Sequence, residues 1–267
     1  MSEPPPVPHA SYDEAADWYA DVMRARAQQV VDVADGVWAL LSPAHANSFV
    51  HNTLLVRRDP GGEQLVAWAD EILGGAGLAH RHVVLKCRAS DATLAALAAA
   101  GYSVEPEVVM SRPSALGPLP VPADVVVEQV DPPATSDFES RLWREEWVPG
   151  IGDDELSDLV SRRTTMDVAG PYLTFAIRDA DGTIVAAADM AVRGDGAEID
   201  GVATWPEHRG HAYGDALIGR CVVEAIDRGI PHLHLEALTD DWPRHWYARR
   251  GWAELGAFTS ATRRPPA

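Results

Sequence analysis

The 267-residue sequence predicts an α/β (α+β) fold, with a mixed central sheet flanked by helices and repeated in two tandem domains. Strand-like runs alternate with stretches of helical period along the chain. A proline-rich segment from Arg112 to Pro122 interrupts this alternation, which then restarts. In the second half, a strand, a glycine-containing loop and a helix follow one another directly from Glu198 onward.

The first half is predicted to begin with a disordered tail over residues 1–10. Apolar positions that include Trp18, Val22 and Val30 predict a helix from Tyr12 to Ala34. Four strands are expected next, at Val37–Leu41, Asn52–Arg57, His82–Arg88 and Val104–Ser111. Two helices are expected between them, at Glu63–Leu73 and Asp91–Ala100.

The prolines between Arg112 and Pro122 oppose helix and interior strand, so this segment is predicted to be a linker. The domain boundaries then fall at 11–112, 113–122 and 123–267. Strands are expected in the second half at Val125–Val130, Tyr172–Arg178, Ile184–Val192, Glu198–Thr204 and His232–Leu238, and near Trp252 and Phe258. Helices are expected at Ser136–Trp147, Asp153–Ala169 and Trp242–Arg250, and after the glycine loop, where Leu217, Cys221 and Ala225 share a stripe.

The net charge of −18 argues against a nucleic-acid partner, because phosphate contacts need a basic surface. The acidity can attract cationic small molecules or simply keep the protein soluble. No apolar run approaches the roughly 20 residues of a membrane span, and the N-terminal sequence is not that of a signal peptide. Cys87 and Cys221 lie in a predicted strand and helix, where buried thiols are favoured over a disulfide. We therefore expect a cytoplasmic protein with no membrane partner.

The loop between the strand Glu198–Thr204 and the following helix predicts a phosphate site. Unpaired backbone N–H groups and the positive end of the helix dipole converge at such a helix start. Gly210 and Gly214 lack the Cβ that would keep an anion away, and Ala212 is nearly as small. Short glycine motifs also occur in plain turns, so the loop alone is weak evidence.

These residues resemble the GNAT superfamily of acetyl-CoA-dependent N-acetyltransferases over roughly residues 123–262. The family signature Arg/Gln-x-x-Gly-x-Gly/Ala stands here as the run from Arg209 to Gly214, with Ala212 at the middle glycine. The family also has a Tyr four residues before a Gly-aromatic pair, which here is Tyr247 before Gly251-Trp252. Where the family often carries Asn and Ala upstream of that Tyr, the spacing gives Asp240 and Pro243, so the contacts of the Asn are in doubt.

The resemblance implies that acetyl-CoA is the co-substrate. Its pyrophosphate is expected on the loop N–H groups, and its pantetheine is expected to pair with the backbone of the strand before the loop. Arg209 can neutralise phosphate or brace the loop. The implied cofactor-binding residues are Val202, Ala203, Thr204, Arg209, Gly210, His211, Ala212, Tyr213, Gly214 and Asp240.

Attack of an amine on a thioester needs a base, an oxyanion donor and an acid for the departing thiolate. By the family match Tyr247 is the acid; otherwise it is an ordinary core aromatic. The backbone N–H of Val202 is the expected oxyanion donor. Glu198 and then Asp200 are the favoured bases, since strand alternation puts both on one face with Val202 and Thr204 unless Gly201 marks a bulge. Water-mediated proton transfer and Glu236 remain alternatives.

Other residues are weaker candidates. His232 and His234 share a strand face, but no Cys, Asp or Glu stands beside them at zinc-site spacing, so no metal site is expected. The segment from Pro149 to Gly152 is either an acceptor-binding loop or a plain connector. Four tryptophans can wall an acceptor pocket, although their helical spacing favours core packing for most: Trp143, Trp147, Trp242 and Trp246.

Residues 80–112 repeat the end of the second half in outline, as strand, helix, Gly-aromatic pair and long strand. Leu97 stands where the second half has Tyr247, and Asp59-Pro60 precedes the glycines of the comparable loop. Asp59 would repel phosphate and Pro60 removes an N–H donor. The first half is therefore expected to be a degenerate GNAT-like domain with a structural role, or else an unrelated small α/β domain.

Together these features predict an acetyl-CoA-dependent N-acetyltransferase that acts on a small-molecule or peptide amine. The alternative is a GNAT-fold sensor or scaffold that binds CoA without turnover. The sequence does not predict the acceptor, because variable loops form pocket walls, and it does not predict an oligomeric state.

Overall fold

A computed structural model describes residues 9–264 of the chain. Its α-helices are α1 (Tyr12–Arg26), α2 (Gly62–Trp68), α3 (Asp91–Ala99), α4 (Ser136–Leu142), α5 (Asp153–Ser161), α6 (Tyr213–Asp227) and α7 (Pro243–Ala248). Its strands are β1 (Gln29–Ala34), β2 (Val37–Leu41), β3 (Thr53–Val56), β4 (Arg81–Leu85), β5 (Ser103–Pro113), β6 (Glu128–Val130), β7 (Tyr172–Arg178), β8 (Ile184–Arg193), β9 (Gly196–Thr204), β10 (His232–Leu238) and β11 (Ala253–Arg263).

Helices α2 and α4 each continue into a wider π-helical turn, over Ala69–Leu73 and Trp143–Trp147. A 3₁₀ segment over Arg162–Ala169 follows α5. The predicted mixed α/β fold is confirmed, because these elements surround one sheet with both parallel and antiparallel pairs. No helix in the described range 9–264 is long and apolar enough to cross a bilayer.

All eleven strands form one sheet, in the order β1-β2-β3-β4-β11-β5-β10-β9-β8-β7-β6. The two halves exchange their last strands at its centre. β11, from the end of the chain, lies between β4 and β5, and β5, from the first half, lies between β11 and β10. The sheet is therefore continuous across the predicted linker, and the predicted domain boundaries stay a prediction.

Helix α1 packs across the centre of one sheet face. It begins with a reciprocal capping box, in which the Ser11 side chain accepts from the Glu14 N–H and Glu14 accepts from the Ser11 N–H. Its buried Tyr19 packs in a cluster with Leu55 of the first half and Phe258 of β11. On the opposite face, α6 packs on the second half through residues such as Leu217 and Cys221. The α1 side of the second half is where the charged residues described below lie.

Four predicted elements differ from the structure. The predicted helix over Tyr12–Ala34 is too long, because its last part is the edge strand β1. β1 turns through Asp35 and Gly36 into β2, and Gly36 has a φ of +73° that suits glycine. The predicted strand Val125–Val130 is regular only over Glu128–Val130.

The two strands expected near Trp252 and Phe258 are the single strand β11, whose register with β5 shifts between Glu254 and Gly256. Of the predicted tail, residues 1–8 lie outside the described residues. Ala10 is buried, and the His9 ring contacts the Ser111 carbonyl at 3.1 Å from Nδ1.

Candidate active site

A β-bulge interrupts β9 at Gly201. Ala203 pairs with Ala187 and Asp200 with Asp189, so Gly201 and Val202 together oppose one residue of β8. Gly201 adopts a φ of +62°, which favours glycine. The expectation that Asp200 and Val202 share a face is therefore wrong. A bulge at Gly201 is the exception attached to that expectation, and this bulge is present.

The bulge sends neighbouring side chains to opposite sides of the sheet. Val202 packs against the apolar cluster beneath α6, while Asp200 lines a cavity on the α1 side. The Gly201 N–H donates a hydrogen bond to the Asp200 carboxylate at 2.7 Å. Val202 has no register partner on either neighbouring strand in the described sheet, as a bulge residue leaves the ladder.

Strands β9 and β10 diverge like a fork. Their parallel pairing ends at Glu198 and His234, so the rest of β9, Ile199–Thr204, has no partner on β10. The space between the strands is a cavity of about 240 Å³, lined among others by Val202, Glu236 and Tyr247. This opening exposes strand backbone to a ligand inside an otherwise continuous sheet.

A larger cleft of about 900 Å³ adjoins the fork and extends to the start of α6. Val202, Pro243 and Tyr247 line both spaces. The residue before α6, Ala212, has a φ of +56°, and no side chain caps the helix. The first N–H groups of the helix therefore face the cleft without a side-chain partner.

The loop before α6 is braced by Arg209. Its Nε donates to the Thr204 carbonyl at 3.1 Å, and its Nη2 donates to the Glu146 carboxylate at 2.7 Å. Of the two predicted roles of this arginine, bracing is the one for which the structure provides contacts. Gly214 leaves room for the indole of Trp246, which would lie 3.3 Å from a Cβ at that position.

The cleft brings together most of the predicted cofactor-binding residues: Val202, Ala203, Thr204, Arg209, Gly210, Ala212, Tyr213 and Gly214. His211 and Asp240 do not line it, whereas Asp241 does. Sequence reasoning missed Asp241 and Glu146. Matching by spacing to the family's Asn pointed to Asp240, which lies in the same turn as Asp241.

The tryptophans of the cleft are more exposed than predicted. Trp242 is 67% and Trp147 44% exposed, so the core-packing interpretation is wrong for these two. Trp147, Trp242 and Trp246 all line the large cleft. Trp143 lines the cavity that contains Asp200. Their helical spacing matches core packing because these helices present one face to the cleft instead of to a neighbouring element.

Tyr247 lies on α7, where the fork meets the large cleft. Its ring packs against Trp246 and Trp252, with centroids 4.9 and 5.9 Å apart. Burial, followed by the nearby Asp200 carboxylate, raises the pKa of the Tyr247 phenol. The phenol is therefore protonated at neutral pH and can donate a proton inside the fork.

Three carboxylates converge at the base of the fork. The Glu198 side chain is only 14% exposed, and desolvation with the neighbouring Asp200 raises its pKa to about 8, against an Arg26 guanidinium 3.8 Å away. Asp200 and Glu236 line the fork cavity, whereas Glu198 lines none of the three cavities described here. As the general base, Asp200 or Glu236 is favoured by its access to a ligand, whereas Glu198 is favoured by its raised pKa.

The first half supplies the cation that neutralises Glu236. Lys86, the only lysine of the chain, is buried and forms an ion pair with the Glu236 carboxylate. Its ammonium lies 3.4 Å from the ring centroid of Phe258. Burial is the largest cause that raises the pKa of Glu236, and Lys86 opposes it. The electrostatics of the fork therefore depend on both halves.

A further cavity of about 230 Å³ lies beyond Asp200 and shares Trp147, Asp200 and Gly201 with the fork cavity. The Pro149–Gly152 segment lies next to this region but lines none of the three cavities. His232 and His234 lie away from it, with the His234 ring 5.5 Å from that of Trp18.

Comparison with known proteins agrees with this geometry. Residues 137–252 match the model of the Acetyltransferase (GNAT) family. No curated protein matches the chain.

Similar solved structures extend over both halves. A functionally unknown protein from Staphylococcus epidermidis aligns with a TM-score of 0.73 at 13% identity, over 89% of this chain and 94% of that one. A GCN5-related N-acetyltransferase from Kribbella flavida aligns with a TM-score of 0.63 at 18% identity, over 96% of each chain. A tandem GNAT protein from the clavulanic acid biosynthesis pathway aligns with a TM-score of 0.54 at 15% identity, over 97% of this chain and 98% of that one. These likenesses establish the fold, and the family match assigns residues 137–252 of this chain to a GNAT acetyltransferase domain.

Proposed function

We propose that the protein is an acetyl-CoA-dependent N-acetyltransferase that transfers the acetyl group to a primary amine by direct attack on the thioester. The observation that carries the proposal is the open fork. One continuous space joins the uncapped start of α6 to the unpaired edge of β9 and to the phenol of Tyr247. A phosphate, an extended pantetheine arm and a thioester fit these three places in that order.

The pyrophosphate would bind the N–H groups of the loop and the first turn of α6, including those of Gly210 and Gly214. The pantetheine arm would pair with the free edge of β9. This placement would put the thioester carbonyl near the bulge, where Val202 has no register partner in the sheet and its N–H could stabilise the oxyanion.

Proton transfers would use groups on both sides of the thioester. Tyr247 would protonate the departing thiolate. An incoming ammonium group must lose a proton before it attacks; the carboxylates of Asp200 and Glu236 line its approach, and Glu198 stands on the same strand as Asp200. A carboxylate whose pKa is raised to about 8, as that of Glu198 is, holds a proton abstracted near neutral pH better than an ordinary one.

Tyr247→Phe tests the role of the acid. We expect kcat to fall by about 10²-fold with little change in acetyl-CoA affinity, because only the phenolic proton is removed. Release of the CoA thiol with an amine panel measures turnover, and calorimetry measures affinity. Tyr102→Phe is the matched control, since it removes a buried phenol oxygen in the first half.

Calorimetry also separates the two function classes. One acetyl-CoA bound per chain with acetyl transfer supports the enzyme. One acetyl-CoA bound, with no transfer to any amine, supports the sensor or scaffold instead. Unchanged turnover in Tyr247→Phe would return this residue to a core-packing role.

A further inference from the structure

We infer that the acceptor is a small amino-carboxylate, a molecule that carries a carboxylate close to the amine that is acetylated. The inference rests on the proposed acetyl transfer and names the substrate class of the same site. Its basis is Arg162, a guanidinium that lines the cavity beyond Asp200 and has no acidic partner within 4.0 Å among residues 9–264.

The neighbouring arginine shows what a charge-paired guanidinium looks like in this cavity. Arg163 donates to both carboxylate oxygens of Asp189, at 2.5 and 2.6 Å, and forms an ion pair with Glu139. The positive charge of Arg163 is therefore neutralised by carboxylates of the protein itself. Arg162, adjacent in sequence, makes one side-chain hydrogen bond in the described structure, from Nη1 to the Ser48 hydroxyl at 2.9 Å.

Ser48 holds Arg162 in place without neutralising it. Ser48 is fully buried and accepts from the Asn52 side chain through its carbonyl at 2.9 Å. Its hydroxyl also lies 2.9 Å from Nδ1 of His51. Burial of His51 lowers its pKa to about 3, so this ring brings no charge at neutral pH. A rigid loop of the first half thus positions a cation that faces a cavity of the second half.

A partly buried cation without a carboxylate partner has an energetic cost. Burial lowers the pKa of the Arg162 guanidinium, and the Asp200 carboxylate, which opposes this effect, lies beyond contact distance. A buried charge without a partner is destabilising unless something else satisfies it. An anionic group of the acceptor, bound through the free side of the guanidinium, would do so.

The charges along the two connected cavities are arranged as an amino-carboxylate requires. Asp200 and Glu236 line the fork cavity beside Tyr247, where the amine must arrive. Arg162 lies on the far side of Asp200, where the carboxylate would bind. Glu139 and Asp189 also line the cavity of Arg162, but both pair with Arg163, which leaves Arg162 for an anion. A polyamine or an aminoglycoside, cationic along its length, would bring positive charge against Arg162.

The volumes and the lining residues of the two cavities narrow the class of acceptor further. The two cavities measure about 230 and 240 Å³, which suits a single amino acid better than a peptide. Trp143, Met166 and Tyr172 line the cavity of Arg162, so an apolar side chain on the acceptor would be favoured.

Matched pairs of acceptors that differ only in the carboxylate test the inference. Suitable pairs are leucine with 3-methylbutylamine, methionine with 3-(methylthio)propylamine, and phenylalanine with 2-phenylethylamine. Wild type, Arg162→Gln, Arg162→Lys and the control Arg144→Gln are compared by CoA release and by equilibrium binding in the presence of CoA. Arg144 pairs with Asp153 on the surface and lines none of these cavities.

We expect wild type to prefer the carboxylate member of a pair by about 10- to 100-fold in kcat/KM and in affinity, the range for a charge-assisted contact. Arg162→Gln should remove this preference, Arg162→Lys should retain part of it, and Arg144→Gln all of it. Equal use of both members by wild type, or binding of neither, overturns the inference whatever the variants do.

The binding arm separates this inference from the proposed function. Carboxylate-dependent binding that Arg162→Gln abolishes, without acetyl transfer to any member, would reject the enzyme and keep the carboxylate site. Acetylation of the simple amines without any carboxylate preference would keep the enzyme and reject the site. Melting curves of each variant identify any loss of folding.

Discussion

The parallel pair β3–β4 in the first half and the parallel pair β9–β10 in the second half hold corresponding places, yet only the second opens. In the first half the pairing continues through Val56 and Leu85, the last residues of both strands. In the second half it ends at Glu198 and His234, and the rest of β9 is free of β10. A glycine bulge at Gly201 accompanies the opening, whereas β3 pairs regularly.

The two helix starts differ in the same sense. In the first half the Asp59 carboxylate accepts from the Gly61 N–H at 2.9 Å and from the Ser90 N–H at 2.8 Å. An internal anion thus lies where a phosphate would have to bind. A Cβ on Gly62 would lie 2.5 Å from the Thr93 carbonyl, so α2 and α3 leave no cleft between them. No side chain caps α2 or α6 itself, so the difference lies in the Asp59 carboxylate in the loop before α2.

The two halves therefore differ in how much of their backbone is unpaired, and not in the arrangement of their strands and helices. The first half pairs its own strand edge and places the Asp59 carboxylate in the loop before α2, and it has the buried Leu97 where the second half has Tyr247. The second half leaves the equivalent groups free for a ligand. We expect one acetyl-CoA per chain for this reason, and a titration that finds two sites would remove the contrast.

The largest effect should follow from removing the first half. A chain that starts after residue 113 lacks β5, which separates and pairs with both β10 and β11. It also loses α1, which covers Phe258 on the same sheet face. We expect this fragment to be insoluble or unfolded by circular dichroism, because two central strands lose their partner and apolar surface is exposed.

A fragment that starts at residue 103 sharpens this test, since it keeps β5 beside β10 and β11. We expect it to recover part of the soluble yield. A soluble and fully active fragment that starts near Pro122 would show that the first half is not a structural support.

The next largest effect concerns the start of α6. Gly214→Val should weaken acetyl-CoA binding by about 10²-fold or more, because the new side chain would press on Trp246, whose ring lies 3.3 Å from the Cβ position, and would enter the cleft. Calorimetry with CoA measures the loss. Gly75→Val is the control, since a Cβ at this glycine of the first half meets nothing within 4 Å. Unchanged affinity in Gly214→Val would show that phosphate binds elsewhere.

The local pattern of the sequence was sufficient for the strand, loop and helix around Gly210, because each of these elements depends on nearby residues. It failed where two local structures fit the same pattern. Val30 and Val33 suit a helix face and an edge strand alike, and the Asp35-Gly36 turn was the signal for the strand.

Features that depend on distant partners could not be predicted at all. The alternation of β5 and β11 is the same whichever strand they pair with, so their exchange leaves no local signal. The same holds for Lys86, whose pairing with Glu236 joins residues far apart in the chain. Gly201 did carry a signal, since a glycine within a strand indicates a bulge.

A smaller, pH-dependent effect should follow from Glu198→Gln, a site with no counterpart in β3, whose residues Thr53–Val56 include no acid. The pKa of Glu198 is raised from an ordinary 4.5 to about 8. The folded protein therefore binds the proton more tightly than the unfolded chain. The stability that this provides is complete below about pH 4.5 and is lost as pH rises through about 8.

Glu198→Gln should consequently flatten the fall of Tm between pH 5 and pH 8, by about 2–4 °C for each kcal/mol involved. If Glu198 is the base, the variant should also lose about 10-fold in kcat/KM at pH 7, since Asp200 and Glu236 remain, and recover partly at high pH, where more amine is neutral. The exposed Glu63→Gln in the first half is the control. A rate ratio that does not change with pH would exclude Glu198 as base.

The smallest effect should come from Ala212→Gly, which gives α6 the residue that stands before α2, namely Gly61. Gly61 has a φ of +95° and Ala212 a φ of +56°, so both helices start from a left-handed residue. The alanine costs about 1–2 kcal/mol in that conformation, and glycine costs about 0.4–1 kcal/mol through the unfolded chain. These terms partly cancel and leave at most about 1.6 kcal/mol in favour of glycine, so Tm should rise by no more than about 6 °C. The affinity for acetyl-CoA should stay within about 2-fold, since the loop N–H groups keep their positions.

Gly210→Ala is the opposite change, because it places a side chain at a φ of +86° and should therefore lower Tm. A loss of acetyl-CoA affinity in Ala212→Gly of 10-fold or more would mean that the Ala212 methyl group contacts the ligand, and the contrast between the two helix starts would then depend on a side chain as well as on free backbone.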